Sequence, residues 1–414
     1  MTESISKETI FRLLFLNIAL VIVGYALGVL TGKASVGVMR IFKYLVLLLC
    51  ILQLFSLKNI FLDLITRYSQ GVILLAVTVL ACAVFTPNPA LSAALALTFS
   101  VPFLYIVFAV SYLLIKYPVA YVLNSFLSII NWVYMLPIVS FFITGGSLTD
   151  TNIYYVSGEN EDSAFVSNHY GWSGTIFLIT GIDLLRNTKL PYWRKILLII
   201  FGVISLYIVL ISGNRTSWLS LLLVSMVFLF RYQSIPLLYK CLLLTIPVML
   251  VLFLLADSKS ALNNRFKKTE GQAKKGEARV RVSAKMISHF SKNPALFVTG
   301  IGMFNKSEIK KIINWSGYHN SYFEVLFGAG LPVFLFFVYL LLVRPAWNYI
   351  RYFSQHYLFL PPFLIIPYFE SNLTGGQFLF FPWFILVIIM SYAKKFTEMK
   401  ASATNTTLNE PVSV

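Results

Sequence analysis

The chain has 414 residues, of which 58% are apolar and only 12% are charged. Soluble globular proteins are about 45–50% apolar and about 25% charged, so this composition excludes an ordinary soluble enzyme and a disordered chain. The formal net charge is +17, from 33 Lys and Arg residues against 16 Asp and Glu residues. Charge is costly inside a bilayer, so the location of this excess carries information.

Long apolar runs recur from residue 11 to residue 392 and predict an all-α polytopic membrane protein. At about 20 apolar residues per span, the chain has room for roughly twelve membrane-spanning helices. The predicted spans, in chain order, are 11–30, 41–57, 70–86, 93–115, 119–143, 171–185, 196–211, 217–230, 236–256, 321–343, 357–369 and 378–392.

The distribution of Lys and Arg predicts the orientation, because cytoplasmic loops carry the excess of these residues. With the N-terminus in the cytoplasm, the cytoplasmic segments hold 16 Lys and Arg residues and the short outer loops hold four. We therefore predict that both termini are cytoplasmic and that the number of spans is even.

One long segment, 257–318, falls on the outer face in this topology and is named the loop domain here. It holds 13 Lys and Arg residues against four Asp and Glu residues, a net charge of +9. Val282, Met286 and Phe290 follow one another at helical spacing, which predicts an amphipathic helix that lies along the membrane. The expected layout is nine spans in 1–256, the loop domain in 257–318, three spans in 319–400, and a disordered cytoplasmic tail in 401–414.

Three arginines on the predicted outer face are candidate anion-binding residues. Arg215 lies in the short segment 212–217 (SGNRTS) between two apolar helices, where an arginine is costly unless it meets a cavity or a partner. An arginine that extends to the interface is the alternative. Arg279 and Arg281 lie in the loop domain, and guanidinium groups suit bidentate phosphate binding. A solvated basic surface is their alternative.

The segment 317–322 (GYHNSY) enters the predicted tenth span. His319 is a candidate general base, because histidine exchanges a proton near neutral pH. Asn320 and Ser321 are also plausible helix N-caps, so a cap with a bystander histidine is the alternative. Glu324 lies four residues after Asn320, on the same helix face, and a carboxylate inside a span is a functional candidate.

Other polar residues give weaker signals. His289 and His356 have no convincing context, and His356 falls in a cytoplasmic loop. Asp183 lies three residues before Arg186, so we expect an ion pair within one helix.

The sequence has no glycine-rich nucleotide loop, no dinucleotide fingerprint and no cysteine or histidine spacing typical of a metal site. We expect no cofactor, no metal and no nucleic-acid partner. A reaction on the outer face has no access to ATP, so it needs a donor that is already activated. A lipid diphosphate meets that need and would be attracted to the basic residues named above.

Three patches of the sequence resemble the O-antigen ligase and O-antigen polymerase superfamily. They are 212–219 (SGNRTSWL), the loop run from 277–279 through 293–294 to 300–302, and His319-Asn320 with Gly330 ten residues after Asn320. The ligase pattern continues with Gly, Thr or Tyr three residues further on, where this chain has Val333. The resemblance covers the layout of spans and, in detail, about residues 205–335.

The resemblance implies an inverting, metal-independent glycosyltransferase of the GT-C-like class in the bacterial inner membrane, with a periplasmic active site. The donor would be a glycan on undecaprenyl diphosphate, and the acceptor would be lipid A–core for a ligase or a lipid-linked glycan for a polymerase. Arg215 and one or both of Arg279 and Arg281 would bind the diphosphate, and His319 would activate the acceptor hydroxyl with help from Asn320 or Glu324.

The ligase is the favoured interpretation, because the basic loop domain would attract a phosphorylated acceptor. The polymerase is the alternative, and a lipid-linked glycan or sugar transporter is the alternative from another class. Transporters place ionisable groups near the midplane and have related halves. In this sequence the polar groups gather at one interface, and the two halves look unlike.

Overall fold

The computed structural model describes residues 7–30, 36–58, 67–84, 86, 89–143, 146, 167–231, 235–256, 260, 263, 278–302, 306–313, 320–363 and 380–392. Within these ranges every regular element is helical, and no strand occurs. The all-α prediction is therefore confirmed for the described part of the chain. The count of twelve spans stays a prediction.

Nine helices follow the first nine predicted spans to within a few residues. They are α1 (Lys7–Leu30), α2 (Val36–Ser56), α3 (Arg67–Val84), α4 (Pro89–Lys116), α5 (Val119–Ile143), α6 (Ser167–Asn187), α7 (Tyr192–Ile211), α8 (Arg215–Arg231) and α9 (Leu237–Ala256).

The described residues from Ala278 onward form six further helices. They are α10 (Ala278–Lys292), α11 (Leu296–Thr299), α12 (Lys306–Ile313), α13 (Ser321–Ala329), α14 (Leu331–Phe353) and α15 (Phe380–Ser391). Two π-helical turns interrupt α14, at Tyr339–Val343 and Tyr349–Phe353. Pro345 lies between these turns and has no N–H to donate, which is consistent with a local change of hydrogen-bond spacing.

Four of the described helices are long and apolar enough to cross a membrane, namely α4, α5, α7 and α14. Shorter apolar stretches occur at Tyr44–Ser56 in α2 and Tyr68–Val84 in α3. Many large apolar side chains on these helices are exposed, among them Leu48, Leu74 and Val203. Such exposure is expected where lipid replaces water as the solvent.

The helices alternate in direction, so the chain has two distinct ends. At one end, residues 300–302 pack on the end of α3, and this is called the loop-domain end. Gly302 lies against Thr86 and Ser92 there, and Cys82 Sγ lies 3.4 Å from Ala329 O. The rings of Phe141 and Tyr170 meet edge to face with centroids 5.6 Å apart, which brings the end of α5 and the start of α6 to the same end.

Contacts between α5, α6, α7 and the chain after α14 define the opposite end of the bundle. The Asn187 side chain donates a hydrogen bond to His356 O (2.9 Å), and Arg194 donates one to Ser128 Oγ (2.6 Å). The Asp183 carboxylate interacts electrostatically with Arg186, in line with the expected pairing, and its two oxygens also accept a hydrogen bond from Leu358 N at 2.8 and 3.0 Å. The carboxylate therefore holds the chain after α14 against α6, a contact that helical spacing alone does not indicate.

The predicted tenth span, 321–343, is wrong as a single helix. The chain breaks at Gly330, whose φ of 84° and ψ of 169° are accessible to glycine and strained for other residues. The nine-residue α13 precedes this break, and the span begins at Leu331. Glu324 therefore lies on a short separate helix and not one turn inside a span.

The loop domain has its own small core. Val282, Met286 and Phe290 are buried there with Ile309, Ile313 and Phe327. The helix predicted from Val282, Met286 and Phe290 is confirmed, but its apolar face packs on α12 and α13 and not on the membrane. The sequence pattern showed that this face is buried but not which partner covers it.

Candidate functional site

The segment 212–217 forms a tight connection between α7 and α8. Gly213 has a φ of 64°, which glycine adopts without strain. The Asn214 carboxamide oxygen then accepts hydrogen bonds from Thr216 N (2.8 Å) and Ser217 N (3.2 Å), so Asn214 is the N-cap of α8. Arg215 is the first residue of α8 and is exposed at the loop-domain end.

A buried polar layer lies beneath Arg215. A Cβ atom at Gly171 would lie only 2.8 Å from Ser212 Oγ and 2.9 Å from Ser217 Oγ, so α6 and this connection are in close contact. Trp218 Nε1 donates a hydrogen bond to Val209 O (3.1 Å) and ties α8 to α7. These contacts fix the backbone that carries Arg215.

Two buried hydroxyl groups on α6 and α8 are unusual. Ser173 Oγ and Ser217 Oγ have no hydrogen-bond partner among the described residues. Buried hydroxyl groups normally have partners.

The start of α13 carries two of the predicted residues. The Asn320 carboxamide oxygen accepts hydrogen bonds from Tyr322 N (2.9 Å) and Phe323 N (3.1 Å), so the predicted N-cap is confirmed. Glu324 follows one turn later and is buried, with 6% of its surface exposed. His319 directly precedes this cap and lies outside the described residues.

The end of α13 is joined to the loop domain by a contact that is named the glycine seam. Ile301 N donates to Phe327 O and Gly302 N donates to Gly328 O, both at 2.9 Å, which satisfies carbonyl groups at the end of α13. A Cβ atom at Gly300 would lie 2.3 Å from Gly328 O, and one at Gly330 would lie 2.1 Å from Val298 O. Only glycine permits this approach, which gives the sequence motif at 300–302 a physical role.

The two loop-domain arginines lie at the beginning of α10. The backbone is helical at both positions, so Arg279 and Arg281 are about 200° apart around the helix axis. Arg281 is exposed, and the side chain of Arg279 lies outside the described part of the structure. The shared-face arrangement that an extended strand would give is therefore absent.

The candidate residues lie on three helices near one end of the molecule. Arg215 lies on α8 in the helical bundle and Arg281 on α10 in the loop domain. Asn320 and Glu324 belong to α13, which packs on both, because Tyr322 and Val325 lie in the main core and Phe327 lies in the small core. Among the described residues, no group of three His, Cys, Asp or Glu side chains is placed to hold a metal ion.

Sequence reasoning missed a basic cleft in the loop domain. It is lined by Lys285, His289 and Lys292 of α10 and by Glu308 and Lys311 of α12. Only His289 was considered, and as a weak candidate. The available signal was the spacing of the three α10 residues, which places them on one helix face.

Comparison with known proteins identifies one family. Residues 200–338 match the family model described as O-antigen ligase. The match runs from within α7 to the middle of α14 and includes all six candidate residues and the loop domain. No curated protein matches the chain. The resemblance seen in the sequence is thus confirmed over residues 200–338, which are similar to the O-antigen ligase family.

Proposed function

We propose that the protein is a membrane glycosyltransferase that moves a glycan from undecaprenyl diphosphate to an acceptor hydroxyl at the loop-domain end. The observation that carries this proposal is the family match over 200–338, which contains every candidate residue. The acceptor is lipid A–core, and the reaction is the attachment of O-antigen. In this proposal the loop-domain end faces the periplasm, and the opposite end faces the cytoplasm.

Arg215 binds the donor diphosphate in this scheme. It is exposed at the first residue of α8, where the helix dipole also favours negative charge. The Asn214 side chain already occupies two amide groups of this helix end, so the charge of Arg215 supplies the main attraction. Arg281, with Arg279, contributes a second positive group that stabilises the diphosphate as it leaves.

His319 activates the acceptor hydroxyl as a general base. It stands one residue before the Asn320 cap, which fixes the start of α13 by two hydrogen bonds. We assign Asn320 a positioning role, because its carboxamide oxygen is engaged with the backbone. Glu324 is buried one turn further along α13 and supports the charge that forms on His319.

The proposal is tested in a strain that lacks the gene, by gel electrophoresis of lipopolysaccharide after complementation. Arg215→Ala and His319→Ala should abolish the long-chain ladder at normal expression. Arg231→Ala is the matched control, because Arg231 is an exposed arginine at the other end of the same helix. A normal ladder from either test variant contradicts the assigned roles.

The same gel separates the alternatives. Loss of a ligase leaves core-only lipopolysaccharide and accumulated lipid-linked polymer. The departure from the ligase pattern at Val333 favours a polymerase. Loss of a polymerase leaves lipopolysaccharide with a single repeat unit. If the purified protein in vesicles moves a lipid-linked glycan across the membrane without changing it, the protein is a transporter and the glycosyltransferase proposal fails.

A further inference from the structure

A cleft of about 1050 Å³ is lined by residues of α10 and α12. Its walls carry Lys285, His289 and Lys292 on one side and Glu308 and Lys311 on the other. Ligand sites are usually clefts of about 300–1,000 Å³. This cleft is therefore much larger than one phosphate ion requires, and it has room for a saccharide.

The pattern of α10 builds one wall of this cleft. Met286 and Phe290 point into the small core, and Lys285, His289 and Lys292 occupy the neighbouring face. Lys285 and Lys292 are two turns apart, so they are separated by about 10 Å along the helix axis. This wall therefore offers two cationic groups at a fixed spacing with an imidazole between them.

The charges of the cleft are unequal. Lys311 Nζ forms an ion pair with Glu308 Oε1 at 2.6 Å, so the wall on α12 is largely neutral. Lys285 and Lys292 give the wall on α10 its positive charge, and both side chains are exposed. An anionic ligand would therefore be attracted mainly to α10.

The floor of the cleft fixes its height relative to the bundle. Thr86, Gly300 and Ile301 form this floor, and Thr86 follows α3 by two residues. Thr86 Oγ1 hydrogen bonds to Ala83 O (2.8 Å) and Ser92 Oγ (3.0 Å). The cleft thus opens just beyond the end of α3 and the start of α4. This is the height of lipid head groups when these helices span a bilayer.

We propose that this cleft binds a phosphorylated saccharide. Its size suits a sugar, its α10 wall suits phosphate groups, and its height suits a head group that remains attached to the membrane. We further assign the bound group to the acceptor, which rests on the proposed function. Ammonium groups bind phosphate as point charges, so the loss of both α10 lysines should weaken binding substantially.

The test uses the full chain in phosphatidylcholine nanodiscs and isothermal titration calorimetry with trehalose 6-phosphate. Trehalose is the neutral control ligand and should not bind measurably. The double variant Lys285→Gln/Lys292→Gln should weaken trehalose 6-phosphate binding about tenfold or more. Lys310→Gln is the matched control, because Lys310 is exposed on α12 and does not line the cleft, and it should leave binding unchanged.

Three results would overturn the proposal. The first is equal binding of trehalose and trehalose 6-phosphate, and the second is undiminished binding by the double variant. The third is loss of binding in phosphatidylglycerol nanodiscs, because that result identifies the cleft as a general site for anionic lipid.

The failure of this proposal is distinguishable from failure of the proposed function. Arg215→Ala should retain trehalose 6-phosphate binding, because Arg215 belongs to the bundle and not to the cleft. If the protein shows no glycan transfer but the cleft binds the phosphorylated sugar, only the acceptor assignment fails. If transfer is intact and the cleft binds nothing, the cleft proposal fails alone.

Discussion

Substitution of Gly330 by alanine should open the glycine seam between residues 298–302 and the end of α13. Gly330 has a φ of 84° and a ψ of 169°, a conformation that costs a residue with a side chain about 1–3 kcal/mol. The new Cβ would also lie 2.1 Å from Val298 O, far inside van der Waals contact. Backbone atoms cannot rotate away as a side chain can, so the glycine seam must open.

The size of the destabilisation is the sum of the backbone strain at residue 330 and the clash with Val298 O. Backbone strain and the clash should destabilise the seam by about 2–3 kcal/mol, which corresponds to an about 30- to 160-fold larger population of the open seam. The amide groups of Ile301 and Gly302 report on this directly, because both donate hydrogen bonds to the end of α13. Hydrogen–deuterium exchange of peptides covering 296–302 is therefore the assay.

Gly202→Ala is the matched control. Gly202 lies within α7, and a Cβ atom there would be 3.6 Å from Leu178 Cδ1, an ordinary contact. This variant should be neutral or slightly stabilising, because alanine favours the helix over glycine. The reasoning is refuted if Gly330→Ala leaves the exchange of 296–302 at the rate of the wild-type protein.

Two further changes test other contacts. Asp183→Ala removes the acceptor for the buried Leu358 N and should lower the free energy of unfolding by about 1–3 kcal/mol, measured by thermal unfolding in detergent. Asp183→Asn retains one acceptor oxygen and should cost less. Equal losses in the two variants would contradict the acceptor role of Asp183. Asn214→Ala removes the N-cap of α8 and should lower the free energy of unfolding by about 1 kcal/mol in the same assay. Asn214→Asp keeps a capping oxygen and should retain this stability. If it does not, a contact other than the cap dominates.

The positions of the first nine helices could be predicted from the sequence, because each depends only on residues close together in the chain. The bounds of α1 to α9 agree with the sequence because each helix is a continuous apolar run between polar or charged residues. The N-cap role of Asn320 could also be predicted, since it depends on the two residues that follow. These features depend on neighbours in the chain and need no knowledge of the tertiary fold.

The remaining features depend on distant contacts. The break at Gly330 falls in a run that is apolar throughout, and its cause is the approach of Val298. Asp183 has Arg186 at helical spacing, but its acceptor role involves Leu358, 175 residues away. Lys285 and Lys292 line a cleft only because α12 lies opposite them, and their own neighbours in the sequence do not indicate this. A single sequence does not encode such pairings in any local pattern.

The glycine seam has a mechanical consequence. A motion that lifts the loop domain away from the bundle would break the hydrogen bonds from Ile301 and Gly302 and separate Gly302 from Thr86. Residues 300–302 are therefore held at once against α13 and against the end of α3, and any lifting of the loop domain must break both contacts. Under the proposed function, a lipid-linked donor would then enter from the side, through gaps between helices.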